Sequence, residues 1–105
     1  MQTITVHELK ARLDKGEKPI IIDVREPYEY EEFNINGRLI PLGNIQSALP
    51  DLEDLADEEI IVHCRSGARS AAATDFLSKN GFSNVKNLVG GMLEWQSQFA
   101  AGNSH

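Results

Sequence analysis

A single cysteine, Cys64, stands in the heptapeptide Cys64-Arg65-Ser66-Gly67-Ala68-Arg69-Ser70, between the apolar run Ile60-Ile61-Val62-His63 and the segment Ala71-Ala72-Ala73-Thr74-Asp75-Phe76-Leu77. That order reads as a buried strand, a tight loop and a helix, with the thiol placed where the strand ends. A helix N-terminus presents unpaired N–H groups and the positive end of a dipole, and Arg65 and Arg69 add positive charge. Each favours the thiolate, and cysteines so placed titrate at roughly 3.5–7.5 instead of about 8.5. Gly67 lets the backbone turn its amides inward as a cradle for an anion, and Ser66 and Ser70 can add hydroxyl donors. The chemistry implied is nucleophilic attack on an anionic substrate. An intracellular cysteine is more often a small core residue, but two arginines and a glycine within five positions make this segment too polar for that. His63, one residue back on the strand, points its ring to the other side and reads as structural, not as a base.

The elements that must hold this loop follow a strand–helix alternation. Thr3-Ile4 is a short edge strand. Thr5 caps a helix from Val6 to Lys15, with Glu8 in capping-box spacing and Gly16 as the stop. Pro19 to Val24 is a β-branched strand buried on both faces, and it delivers Asp23 and Arg25 to its carboxyl end. Pro27 opens a short acidic helix through Glu32. Arg38 to Leu42 is a strand at an edge or one ended by Pro41. Between Asn44 and Leu55, Pro50 divides the pattern into two short helical turns. The acidic stretch from Asp51 to Glu59 reads as a solvated face. A helix from Ser70 to Lys79 buries Ala72, Ala73, Phe76 and Leu77 and closes at Asn80-Gly81. Val85 to Val89 is the last strand, and Met92 to Phe99 a closing helix anchored by Leu93, Trp95 or Phe99.

This alternation predicts an α/β sandwich around a largely parallel sheet, in one domain over residues 1–105. Reactive groups in such sheets gather at the carboxyl ends of strands where strand order reverses, and both Cys64 and Asp23-Val24-Arg25 occupy such ends. Sixteen acidic residues against ten basic ones argue against nucleic acid as a partner. One cysteine cannot form an internal disulfide, no signal-like segment opens the chain, and no apolar run suits a bilayer; a cytoplasmic setting is expected, without membrane contact.

Four segments together resemble the rhodanese-like sulfurtransferases. Cys64 to Ser70 resembles their active-site loop, and Asp23-Val24-Arg25-Glu26-Pro27-Tyr28-Glu29-Tyr30 the segment after their second strand. Ile40-Pro41-Leu42 resembles the following strand, and Leu88-Val89-Gly90-Gly91-Met92-Leu93-Glu94-Trp95 the C-terminal strand-to-helix signature. The resemblance covers nearly the whole chain and implies a three-layer sandwich with a five-stranded, mostly parallel sheet. It implies that Cys64 takes sulfane sulfur from a small anionic donor such as thiosulfate, holds it as a persulfide and passes it to cyanide or a protein thiol, thioredoxin or a sulfur-carrier protein among them. Arg65 and Arg69 would bind the donor's oxyanion, with Arg69 equally placed to be a structural clamp. The loop amides and hydroxyls from Ser66 through Gly67 and Ala68 to Ser70 would hold the sulfur, and Asp23 and Arg25 would support the loop. No metal or cofactor is expected. Family members commonly carry a histidine where this chain has Asn34.

Two other readings stand beside this one. Cysteine-dependent phosphatases and arsenate reductases also follow a His-Cys pair with an arginine-bearing anion loop, but theirs is one residue longer than the spacing from Cys64 to Arg69 and so better sized to surround a tetrahedral phosphate. A non-catalytic binding module is the third reading; such modules usually lose the cysteine.

Overall fold

The computed structural model describes residues 1–100, so residues 101–105 of the expected domain lie outside the described residues. The strands are β1 (Gln2–Ile4), β2 (Ile20–Asp23), β3 (Arg38–Leu39), β4 (Ile60–His63) and β5 (Val85–Leu88). They form one sheet in the order β1-β5-β4-β2-β3. Every pairing in it is parallel. The helices are α1 (Val6–Asp14), α2 (Pro27–Glu32), α3 (Ile45–Leu52), α4 (Ala68–Lys79) and α5 (Gly91–Trp95), with short 3-10 turns at Leu42–Asn44 and Glu53–Leu55 and one π turn at Gln96–Ala100.

Side-chain alternation along the central strands decides which layer each residue serves. Ile22 and Val62 join Ile45 and Leu52 of α3 and Ala73 and Leu77 of α4 in one core. Ile21 and Ile61 join Val6 and Leu9 of α1 and Met92 and Trp95 of α5 in the other. Two helical layers thus enclose the sheet, and β2 and β4 are buried on both faces, which is why their sequences are continuous β-branched runs. Cys64 belongs to the α3–α4 side.

Local signals operate as the sequence predicts at several points. Thr5 Oγ1 accepts the Glu8 amide at 3.1 Å while Glu8 accepts the Thr5 amide at 2.9 Å, a complete capping box. Gly16 takes φ +86° just past α1. β3 ends before Pro41 and lies at the sheet edge.

Other expectations need correction. Pro50 does not divide its segment: α3 runs through it. Pro50 and Gln46, whose carbonyl loses its i+4 donor, both face solvent, where water can take the lost bond, while Ile45 and Leu52 bury the opposite face. Ala72 is exposed, and Thr74 takes the buried position, with its hydroxyl donating to the Ser70 carbonyl at 2.7 Å. Of the three anchors expected for the closing helix, Trp95 is buried and Phe99 packs against the same core, while Leu93 is exposed and Met92 takes the buried position. The helical run also changes to the π turn at Gln96, where an α-helix through Phe99 was expected. Glu59 departs from the solvated acidic stretch: it receives Arg12 of α1 at 2.6 Å and Lys86 of β5 at 2.6 Å. Hydrogen bonding from Arg12, more than Lys86, holds its carboxyl at about 2 against the cost of partial burial.

Candidate active site

β2 and β4 run side by side with Asp23 opposite His63. Their carboxyl ends therefore deliver Asp23-Val24-Arg25 and Cys64 to one place, at the reversal between β3 and β4 in a doubly wound sheet. Past Cys64 the chain turns through Gly67, whose φ of +113° lies in the region glycine occupies without strain. α4 begins at the next residue. The turn points two amides at the thiol: Gly67 N lies 3.1 Å and Ser70 N 3.3 Å from Cys64 Sγ. The sulfur is almost inaccessible, with Cys64 1% exposed. Burial by itself pushes the thiol up, but the Ser70 hydroxyl and amide, the Gly67 amide and the Ser66 amide together outweigh it, and the Cys64 pKa falls below its ordinary value.

The loop is braced from three sides. From β5, Asn87 Oδ1 accepts the Ser70 hydroxyl at 2.5 Å, and Asn87 Nδ2 lies 3.4 Å from the Gly67 carbonyl. Asn87 thereby fixes both residues whose amides face the sulfur, a role absent from the sequence reading. The only signal for it was a polar residue in the apolar frame of Val85 and Leu88. From α5, the Met92 and Leu93 amides donate to the Cys64 and Arg65 carbonyls at 3.0 and 2.9 Å. Gly91 permits this approach, since a Cβ there would lie 2.5 Å from the Cys64 oxygen.

From α2, Glu29 receives Arg69 through two bonds of 2.7 and 2.9 Å. Arg69's hydrogen bond brings the Glu29 carboxyl down to about 2 against the cost of burial. Of the two roles open to Arg69, the geometry displays the clamp.

Asp23 is fully buried and Arg25 nearly so. Arg25 Nη2 donates to Asp23 Oδ2 at 2.7 Å and to the Phe33 carbonyl at 2.7 Å, and Arg25 Nε meets Asp23 Oδ1 at 2.9 Å. This pair ties the end of β2 to the chain leaving α2. His63 lies 3.6 Å from Asp23 Oδ2, and neither ring nitrogen makes a hydrogen bond. Burial lowers its pKa, Asp23 opposing and Arg25 assisting, so the imidazole is neutral. Its side chain lies on the face of the sheet opposite that of Cys64, because adjacent strand residues alternate.

Arg65 is exposed and borders a cleft of about 190 Å³ with Arg25, Glu32, Phe33, Met92 and Leu93. Ser66 and Ala68 are exposed on the loop. Asn34 donates to the Tyr30 carbonyl at 2.9 Å and accepts the Asn36 amide at 2.9 Å. It thus closes the exit from α2, with both ends of its side chain engaged locally.

The sequence profile of the Rhodanese-like domain family matches residues 5–98. A probable adenylyltransferase/sulfurtransferase, MoeZ, of Mycobacterium tuberculosis is 39% identical over 97 residues, covering 91% of this chain and 25% of that protein. The chain therefore spans about a quarter of that relative's length. A sulfurtransferase of Allochromatium vinosum is 32% identical over 93 residues, covering 88% of this chain and 85% of its own. Among solved structures, a rhodanese-like domain protein from Staphylococcus aureus superposes with a TM-score of 0.75 at 33% identity, covering 90% of this chain and 91% of the other.

Proposed function

Because the chain belongs to the rhodanese-like domain family, we propose that it is a sulfurtransferase carrying sulfane sulfur on Cys64 as a persulfide. The observation that carries this reading is the pair of amides at 3.1 and 3.3 Å from a sulfur whose pKa is lowered. Cys64 reacts as the thiolate, the form that the donors of the loop favour. It attacks the outer sulfur of a donor such as thiosulfate; the new S–S bond forms as the bond to the sulfonate sulfur breaks, and sulfite leaves with that electron pair. The persulfide's outer sulfur carries the negative charge into the cradle formed by Ser66, Gly67, Ala68, Arg69 and Ser70. A cyanide ion or an acceptor thiolate then attacks the outer sulfur, and Cys64 departs as thiolate. Electrons balance without an external oxidant or reductant. Arg65, exposed beside the loop, recruits the anionic donor.

The engagement of Arg69 by Glu29 favours sulfur over phosphate transfer. A phosphatase loop needs its arginine turned onto the equatorial oxygens, and here that guanidinium is held by a carboxylate. Mass spectrometry after incubation with thiosulfate tests the proposal: one added sulfur on the wild type, absent in Cys64→Ser, is expected. Absence of the adduct would turn the reading toward a binding module. Hydrolysis of an aryl phosphate through Cys64 without thiocyanate formation would turn it toward a phosphatase.

A further inference from the structure

We propose that the surface around the catalytic loop docks a protein acceptor whose thiol is flanked by basic and apolar side chains; this rests on the sulfurtransferase reading. The large apolar side chains left exposed among the described residues are Met1, Tyr28, Val89 and Leu93. All but Met1 stand at the carboxyl edge of the sheet, each tied to a different part of the loop. Leu93's own amide donates to the Arg65 carbonyl at 2.9 Å. Val89 precedes Gly90, whose nitrogen lies 3.7 Å from where a Cβ on Gly67 would sit. Tyr28 precedes Glu29, which holds Arg69 at 2.7 Å. Exposed apolar residues thus sit on each of the three segments that touch the loop, at Arg65, Gly67 and Arg69, and Leu93 lines one cleft with Arg65; together they make the loop's apolar collar.

A small anionic donor gives no reason for such a collar. Thiosulfate buries no apolar area. The stretch Glu26 to Glu32 contains four glutamates and no basic residue. Glu29 is neutralised by Arg69, but Glu31 and Glu32 have no cationic partner among the described residues, and Glu94 accepts only from the neutral Gln98 amide. Exposed apolar residues beside uncompensated carboxylates complement a partner carrying Lys or Arg around an apolar tip. Because Cys64 is 1% exposed, the acceptor's thiol must project on a segment narrow enough to reach it.

The test uses peptides as acceptors for protein loaded with sulfur from thiosulfate. One carries Lys and Leu around a single Cys; a second has Glu in place of Lys; a third has Ser in place of Leu. Each transfer rate is divided by the same peptide's rate with a small disulfide, which removes differences in thiol reactivity. The Lys/Leu peptide is expected to react about tenfold faster than the Glu peptide at low salt, with the ratio shrinking as salt is added. Tyr28→Ser and Val89→Ser are expected to bring it down to the rate of the Ser peptide while leaving transfer to cyanide unchanged. Equal normalised rates for the three peptides would overturn the proposal. Loss of cyanide transfer in both variants would also overturn it, by making the collar part of the loop's scaffold. Self-association abolished by Leu93→Ser would assign the collar to a second copy of this chain instead. If no sulfur loads, the sulfurtransferase reading fails on its own. Direct titration of the peptides onto Cys64→Ser protein then decides docking: the same ranking supports it and equal affinities refute it.

Discussion

Gly91→Ala puts the positioning of Cys64 to a quantitative test. A Cβ at residue 91 would lie 2.5 Å from the Cys64 carbonyl oxygen, 2.7 Å from the Arg65 oxygen and 2.8 Å from the Arg65 carbonyl carbon. Carbon and oxygen rest at about 3.3 Å or more, so the Cys64–Arg65 backbone must retreat by roughly 0.8 Å. These are backbone atoms, which cannot turn aside as the end of a flexible side chain can. The retreat strains the bonds from the Met92 and Leu93 amides to those same carbonyls, now 3.0 and 2.9 Å. Alanine at φ +55° adds a left-handed penalty of about 1–2 kcal/mol. With about 1–3 kcal/mol for overpacking and about 1 kcal/mol for each weakened bond, the loss comes to roughly 4–7 kcal/mol. That is comparable with the whole stability of a small domain, about 5–15 kcal/mol. In whatever fraction folds, a displacement near 1 Å at the nucleophile is expected to lower sulfur transfer about a hundredfold. The assay is urea unfolding together with thiocyanate formation per folded molecule. Gly16→Ala is the control: its φ is +86° but nothing lies within 4 Å of its Cβ, so only a conformational cost of about 1–2 kcal/mol applies and activity is unchanged. Stability within about 1 kcal/mol of wild type and activity within about threefold for Gly91→Ala would refute the argument.

Three further outcomes follow from the same geometry. Ser70→Ala removes a side chain that helps lower the Cys64 pKa and is expected to raise it, read from the pH dependence of alkylation by iodoacetamide. Asn87→Ala, which touches no substrate, is expected to move that curve the same way by less, and a curve unmoved by either change counts against the bracing of the loop. Glu29 and Glu59 titrate near 2 in the folded chain and near 4.3 when unfolded, so each contributes stability above about pH 4.3 that is lost as pH falls toward 2. Glu29→Gln and Glu59→Gln are expected to lower stability at pH 7 by on the order of 1 kcal/mol each after solvent screening and to flatten urea midpoint against pH between those values; an unaltered slope would contradict the ion-pair assignment. His63 is buried and held neutral, so stability is expected to fall as pH drops below about 6.5, where the unfolded chain takes up a proton that the folded imidazole refuses. His63→Leu, which removes no hydrogen bond, is expected to abolish that decline, and its persistence in the variant would place its origin elsewhere.

Much of the frame was legible because its determinants are local. The runs Ile20-Ile21-Ile22 and Ile60-Ile61-Val62 announce strands covered on both faces, and Thr5 with Glu8 announces a helix start, since propensity and capping act over a few residues. Pro50 misled because a local rule was applied without knowing that the lost bond would face water while Ile45 and Leu52 were buried. Ala72 and Leu93 were expected in positions that Thr74 and Met92 take, because a helical pattern gives a face but not its width. Asn87 escaped notice because its partners, Gly67 and Ser70, lie 20 and 17 residues away in sequence, and no spacing rule connects them.

By itself the sequence determined that a lone cysteine would end a buried strand before a glycine-turned helix, and that its surroundings would favour the thiolate. It also determined the parallel sandwich, because strand and helix periods are written in consecutive residues. Only the tertiary structure decided what each charged side chain is free to do. It turned Arg69 onto Glu29, closed Arg25 onto Asp23 and left Arg65 exposed in the lining of the cleft. Those outcomes depend on which distant segments the β2–β4 register brings within 3 Å of one another, and charge alone does not specify that distance.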